Sequence, residues 1–179
     1  ESGLHVQHIH RLTERVLAKL LERPNIYHIT SEMQENIPLA SALHDIGKIA
    51  IDEKILNKPG RLTPEEFEVI KTHTTIGADM LSKLDNFCTE PLLQTAYSIA
   101  RWHHERWDGR GYPDGLKGNE IPIEAQVVAL ADVYDALTSD RCYKKACPHE
   151  QAVEMILNGE CGAFNPMLLE CFVEKSEAK

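Results

Sequence analysis

Two aspartates, Asp132 and Asp135, stand one turn apart inside the most apolar stretch of the chain, Ile123 to Leu137. The apolar pattern runs through Val127, Val128, Leu130, Ala131, Val133, Tyr134 and Leu137 at the spacing of a helix. A carboxylate set among valines and leucines has to be paired or coordinated, because burial strips its hydration. Asp132 therefore demands partners from elsewhere in the fold.

The strongest candidates lie in Leu43-His44-Asp45-Ile46-Gly47-Lys48. Imidazole nitrogen and carboxylate oxygen both ligate divalent transition metals. The lysine beside them supplies a point charge suited to a phosphate oxygen. Upstream, Val6, Ile9, Leu12, Val16, Leu17 and Leu20 predict an amphipathic helix from Leu4 to Leu21, closed by Pro24 and Asn25. Glu1, His5 and His8 share one of its faces if the helix reaches back to Glu1. A second helix is predicted from Ser31 to about Leu43, with Ile37, Leu39, Ala40 and Leu43 buried. His44-Asp45 falls at its C-terminal end, where Gly47 breaks the pattern.

Thr63-Pro64-Glu65-Glu66 is a helix start, with Thr63 as N-cap, Pro64 at the first helical position and Glu66 completing a capping box. The helix it opens is predicted to carry Phe67, Ile70, His73, Ile76, Gly77 and Met80 or Leu81 inward. Another runs from Pro91 or Leu92 to about Trp107, with Leu92, Ala96, Ile99, Ala100 and His103 inward and His103-His104 near its end. Taken singly, each histidine reads equally as a hydrogen-bonded core residue or a solvated one. The glycines between Asp108 and Asn119 make a long ordered loop, and long loops in compact domains tend to be functional. Arg141, Lys144 and Lys145 form a basic cluster that also fits a solvated loop. Helices from Pro148 to Asn158 and from Pro166 to about Val173 complete an all-α helical bundle.

At 179 residues, 42% apolar and 26% charged, the chain fits one globular domain. Its net charge of −9 argues against binding duplex DNA or RNA but not against an anionic substrate, since bound metals reverse the local sign. The five cysteines form no C-x-x-C pair, which suggests reduced thiols and a cytoplasmic setting. No apolar run approaches the roughly 18 residues that span a bilayer, so no membrane role is expected of this domain. The chain opens at Glu1 without methionine, so a longer protein with an N-terminal regulatory domain is expected.

Glu1, His5, His44, Asp45, His73, His103, His104 and Asp132 all fall on helix faces or helix ends. That is too many donors for one ion and suits two or three. Asp45, next to His44, is the natural bridging carboxylate. The absence of a thiolate disfavours a structural zinc site, and the donor set suits iron, manganese, nickel, cobalt or zinc. Clustered ions of this kind suit hydrolysis of a phosphate ester, with Lys48, Arg141 and Lys144 clamping its oxygens.

These segments together resemble the HD-GYP branch of the HD-domain phosphohydrolases over nearly the whole chain. The resemblance is carried by Glu1 to Val6, Leu43 to Lys48, Lys71-Thr72-His73, and His103 to Gly115 with its Gly111-Tyr112-Pro113. Asp132-Val133-Tyr134-Asp135-Ala136-Leu137 and Arg141-Cys142-Tyr143-Lys144 complete it. It implies an HD-type helical bundle with a long GYP-containing loop, hydrolysing cyclic di-GMP to pGpG or GMP in bacterial signalling. It implies metal ligation by His5, His44, Asp45, His73, His103, His104 and Asp132, with Glu1 holding a third ion and iron or manganese favoured. Asp45 and Lys48 take catalytic roles. Lys48, Tyr112, Asp135, Arg141 and Lys144 are the substrate contacts, and the Tyr112 loop also docks diguanylate cyclase (GGDEF) partners. A homodimer is a fair expectation for such a signalling domain.

Three positions depart from the family pattern. His8 replaces an arginine, Cys142 a proline, and Asn165 an aspartate that caps a helix as asparagine also can. Two competing readings stay open: hydrolysis of cyclic GMP-AMP, and a catalytically silent domain that binds a cyclic dinucleotide or a protein.

Overall fold

The computed structural model describes residues 2–141 and 144–176, the side chains of 175 and 176 aside. Among them the regular structure is helical and no strand forms. The helices are α1 (Gly3–Leu21), α2 (Ser31–Ala40), α3 (Glu53–Leu56), α4 (Pro64–Lys71), α5 (His73–Ser82), α6 (Pro91–Trp102), α7 (Ile123–Thr138), α8 (His149–Leu157) and α9 (Pro166–Ser176). Helix α7 carries the apolar stretch and packs on α1, α6 and α8, while α1 also meets α2 and α9. Ile9, Leu17, Ile37, Ile99, Val127, Val128 and Leu130, all shut from solvent, join these helices in one core.

Helix α1 begins at Gly3, with the Ser2 hydroxyl accepting from the His5 amide at 3.3 Å. Glu1 lies outside the described residues. In α2 the buried residues are Ile37, Pro38 and Ala40, while Leu39 is 54% exposed. Leu39 is roughly 200° around the helix from Ile37, so it points away from the stripe. After Ala40 the chain tightens into 3-10 turns at Ser41–Leu43 and Ile46–Ala50, and the His-Asp pair lies between them.

The stretch after Thr63 divides where one helix was expected. The capping box at Thr63 and Glu66 forms, but α4 stops at Lys71 and α5 begins at His73. Hydroxyls of Thr72, Thr74 and Thr75 donate to the Val69, Lys71 and Thr72 carbonyls. Such bonds compete with the main-chain ladder and bend helices. The break turns Phe67 outward, 44% exposed, while His73 and Leu81 stay buried. Helix α6 likewise ends at Trp102, short of the predicted Trp107, and His103 is its C-cap.

The turn Ile46–Ala50 crosses α5 at glycine contact. A Cβ on Gly47 would lie 1.9 Å from the His73 carbonyl oxygen and 2.6 Å from the Gly77 nitrogen. Gly47→Ala is expected to destabilise the fold by about 3 kcal/mol or more, since neither backbone can yield. Gly77→Ala, whose Cβ would meet Gly47 nitrogen at 3.1 Å, is expected to cost less. Chemical denaturation of both variants checks the order.

Candidate metal centre

Where α1, α2, α5, α6 and α7 converge, two donor sets form. Asp45, His73, His103 and His104 make one, and His5, His44 and Asp132 the other, the donor atoms of each within 4.8 Å of one another. Asp45 touches both. Its Oδ1 lies 3.2 Å from His73 Nε2 and 3.5 Å from His103 Nε2, and its Oδ2 lies 3.2 Å from His44 Nε2. Asp132 Oδ1 is 3.5 Å from His44 Nε2 and 3.6 Å from His5 Nε2. Donor atoms about 2.1 Å from a shared ion stand roughly 3.0–3.5 Å apart, so these spacings are those of co-ligands.

The proton positions agree. His44 Nδ1 faces the Ser41 carbonyl at 2.7 Å, His73 Nδ1 the Ile70 carbonyl at 2.6 Å, and His103 Nδ1 the Ile99 carbonyl at 2.8 Å. Each Nδ1 therefore carries the hydrogen, and each Nε2 lone pair turns to the centre. Nε2 of His44, His73 and His103, with Asp45 Oδ1, are buried without a hydrogen-bond partner. Buried polar atoms are ordinarily satisfied. Four that converge on one spot fit divalent ions by their chemistry as well as their spacing.

Electrostatics point the same way. Burial works against a charged Asp45, yet the imidazoles of His103, His44 and His73 gathered around it hold its carboxyl far below the usual range. Burial likewise opposes ionisation of Asp132, but the adjacent His44 prevails, so it too stays ionised. Burial disfavours a second proton on His44, but with no cation between them the carboxylates of Asp132 and Asp45 favour one and raise its pKa. The centre gathers negative charge and attracts cations. His104 differs: burial and the neighbouring His103 and His73 lower its pKa well below the ordinary value. It stays neutral, as a ligand must.

Behind these donors stand residues the sequence did not reveal as a second layer. Asp135, expected among the substrate contacts, is engaged by two histidines and a hydroxyl. Its Oδ2 is 2.5 Å from His5 Nδ1 and its Oδ1 2.8 Å from His8 Nδ1, and the Ser139 hydroxyl donates to Oδ1 at 3.0 Å. Only 3% of its side chain is exposed. It orients His5 in the manner of a carboxylate behind a metal-bound imidazole. His8 is thereby the second cap on Asp135.

Glu105 is the other unforeseen residue. Its buried carboxylate accepts the amides of Asp114, Gly115 and Leu116 at 2.6, 3.1 and 2.9 Å, tying the glycine-rich loop beneath the histidines. An acid flanking a loop of orphan N–H groups was the available signal. Gly111 passes so close that a Cβ would lie 2.4 Å from the His104 carbonyl oxygen. Tyr112 is thus laid on His104, the rings stacked at 4.9 Å and 18°. Its phenol is pushed up to about 12 by burial and by the charge of Asp45.

Lys48 Nζ donates to Asp45 Oδ2 at 2.8 Å with its side chain one-third exposed. Arg141 and Lys144 are exposed and joined by two main-chain hydrogen bonds, 2.8 and 3.1 Å. Lys144 lies near enough to Cys161 to act on its thiol. Cys142 lies outside the described residues, and the other four cysteines are free thiols.

A family model described as HD domain matches residues 3–165. The chain belongs to the HD domain family. Within it the chain carries both the His44-Asp45 and Gly111-Tyr112-Pro113 motifs. It is 45% identical over 168 residues to a cyclic di-GMP phosphodiesterase of Thermotoga maritima, covering 92% of this chain and 44% of that one. It is 48% identical over 137 residues to a probable cyclic di-GMP phosphodiesterase of Vibrio cholerae, covering 75% of this chain and 31% of that one. The chain thus spans less than half the length of either relative. Among solved structures, the HDG"Y"P protein Bd1817 of Bdellovibrio bacteriovorus has the same fold, with TM-score 0.69 at 19% identity, covering 97% of this chain and 51% of that one. HD domain phosphohydrolases are metal-dependent, and the two donor sets here could hold divalent ions.

Asp135→Asn keeps the shape but removes the charge that faces His5. Metal affinity is expected to fall roughly 10–100-fold with the fold retained, checked by metal titration and circular dichroism.

Proposed function

We propose that this domain hydrolyses a phosphodiester of a cyclic dinucleotide, cyclic di-GMP first, to pGpG or GMP. One observation carries the reading: Asp45 presents one oxygen to each donor set, the arrangement of a carboxylate that bridges neighbouring ions. The names of the relatives support the substrate class. His5, His44 and Asp132 would hold one ion, His73, His103 and His104 another, and Asp45 would serve both. Imidazole and carboxylate donors without thiolate are compatible with iron, manganese, nickel, cobalt or zinc, and the family resemblance favours iron or manganese. Divalent ions supply Lewis acidity and make water a nucleophile at neutral pH.

The chain's own groups do the rest. Lys48, already on Asp45 at 2.8 Å and partly exposed, donates from Nζ to a non-bridging phosphate oxygen and neutralises charge that grows as phosphorus is attacked. The Tyr112 hydroxyl keeps its proton across the physiological range and is a hydrogen-bond donor beside His104. Arg141 and Lys144 are cations for the second phosphate. Asp45 and Lys48 are thus the catalytic pair, the first by binding both ions and the second by touching substrate.

Metal analysis of the purified protein, with turnover of cyclic di-GMP and cyclic GMP-AMP under reducing conditions, tests the reading. Two or more equivalents of metal with cyclic di-GMP hydrolysis support it. Preference for cyclic GMP-AMP would move the substrate and leave the chemistry. Full metal loading with binding and no turnover would overturn it. Asp45→Ala is expected to lose metal and about a thousandfold in kcat, several kcal/mol of barrier. Lys48→Ala is expected to lose about 10–100-fold in kcat, the worth of one charged hydrogen bond, with metal content unchanged. Loss of metal in Lys48→Ala would make Lys48 structural.

A further inference from the structure

A cavity of about 240 Å³ opens between α1 and α7 behind the metal centre. It is lined by His8, Arg11, Leu12, Arg15, Tyr134, Asp135 and Thr138. Arg11 and Arg15 are one turn apart on α1, so their guanidinium groups serve the same space. Both are exposed, and neither pairs with a carboxylate among the described residues. In a chain of net charge −9, two adjacent unneutralised arginines at a cavity are not the average surface. The one lining carboxylate, Asp135, is turned to His5, His8 and the Ser139 hydroxyl, and the two guanidinium charges outnumber it.

We propose that this cavity binds the dianionic phosphate of a phosphomonoester, held by Arg11 and Arg15 with His8 at its inner wall. Paired guanidinium groups recognise such a phosphate through several charged hydrogen bonds. A diester carries one charge and two blocked oxygens and is recognised less well. At about 240 Å³ the cavity has room for a phosphate group. The biological source rests on the phosphodiesterase reading: water added across one diester of a cyclic dinucleotide leaves a phosphomonoester end. The site is wired to the centre, since His8 and His5 share Asp135. Product held there therefore bears on a metal ligand.

Equilibrium dialysis of the metal-loaded protein against methyl phosphate and dimethyl phosphate tests the proposal without any turnover assay. The wild type is expected to bind methyl phosphate at least tenfold more tightly than dimethyl phosphate, with one equivalent lost in R11Q/R15Q. Lys48→Ala is expected to keep that equivalent, and R11K/R15K to retain part of the affinity. Both arginines are exposed, and melting curves of the variants verify that they fold. Equal binding by wild type and R11Q/R15Q, or an equivalent lost in Lys48→Ala instead, would overturn the proposal. Absence of cyclic di-GMP turnover would overturn the phosphodiesterase reading alone and leave this result standing.

Discussion

The fold depends on keeping one carboxylate, Asp45, ionised where little water reaches it. Its side chain is 7% exposed, and an isolated charge at that depth is strongly disfavoured. Three imidazoles answer it, from the end of α2, the start of α5 and the end of α6. Each is held by a carbonyl three or four residues earlier on its own segment. The helices must therefore end where they do. Breaks at Ala40, Thr72 and Trp102 are the means by which short-range hydrogen bonds aim long-range ligands.

Two glycines and one acid make that aim hold. Gly47 lets the turn carrying Asp45 lie directly on the backbone at His73, so the first and second histidines are spaced by main-chain contact. Glu105 gathers three loop amides and places Tyr112 on His104. A shell of this kind fixes ligand direction and tautomer, which a list of donors leaves undetermined. Asp135 does the same for His5, and through His8 it joins the centre to the arginine-lined cavity on the far side of α1 and α7.

The sequence by itself determined the class and most of the donors. Helical periodicity marked the bundle, and Asp132 among valines required a partner for the plain reason that buried charge needs one. The spaced histidines supplied it. No local pattern could place Leu39 outward, split the helix at Thr72, or set Asp135 against His5 and His8, because each depends on which group another segment delivers. Phe67 shows the same limit: its spacing fits an inward face, and threonine hydroxyls bonded to the backbone turn it out. Glu105 and the Arg11–Arg15 cavity were beyond reach for a further reason. A carboxylate acquires its role from the amides that fold over it, and a cavity exists only between elements. Residue types and spacing are one-dimensional and survive in the chain alone; pairing, burial and tautomer are set by packing, and packing decided them here.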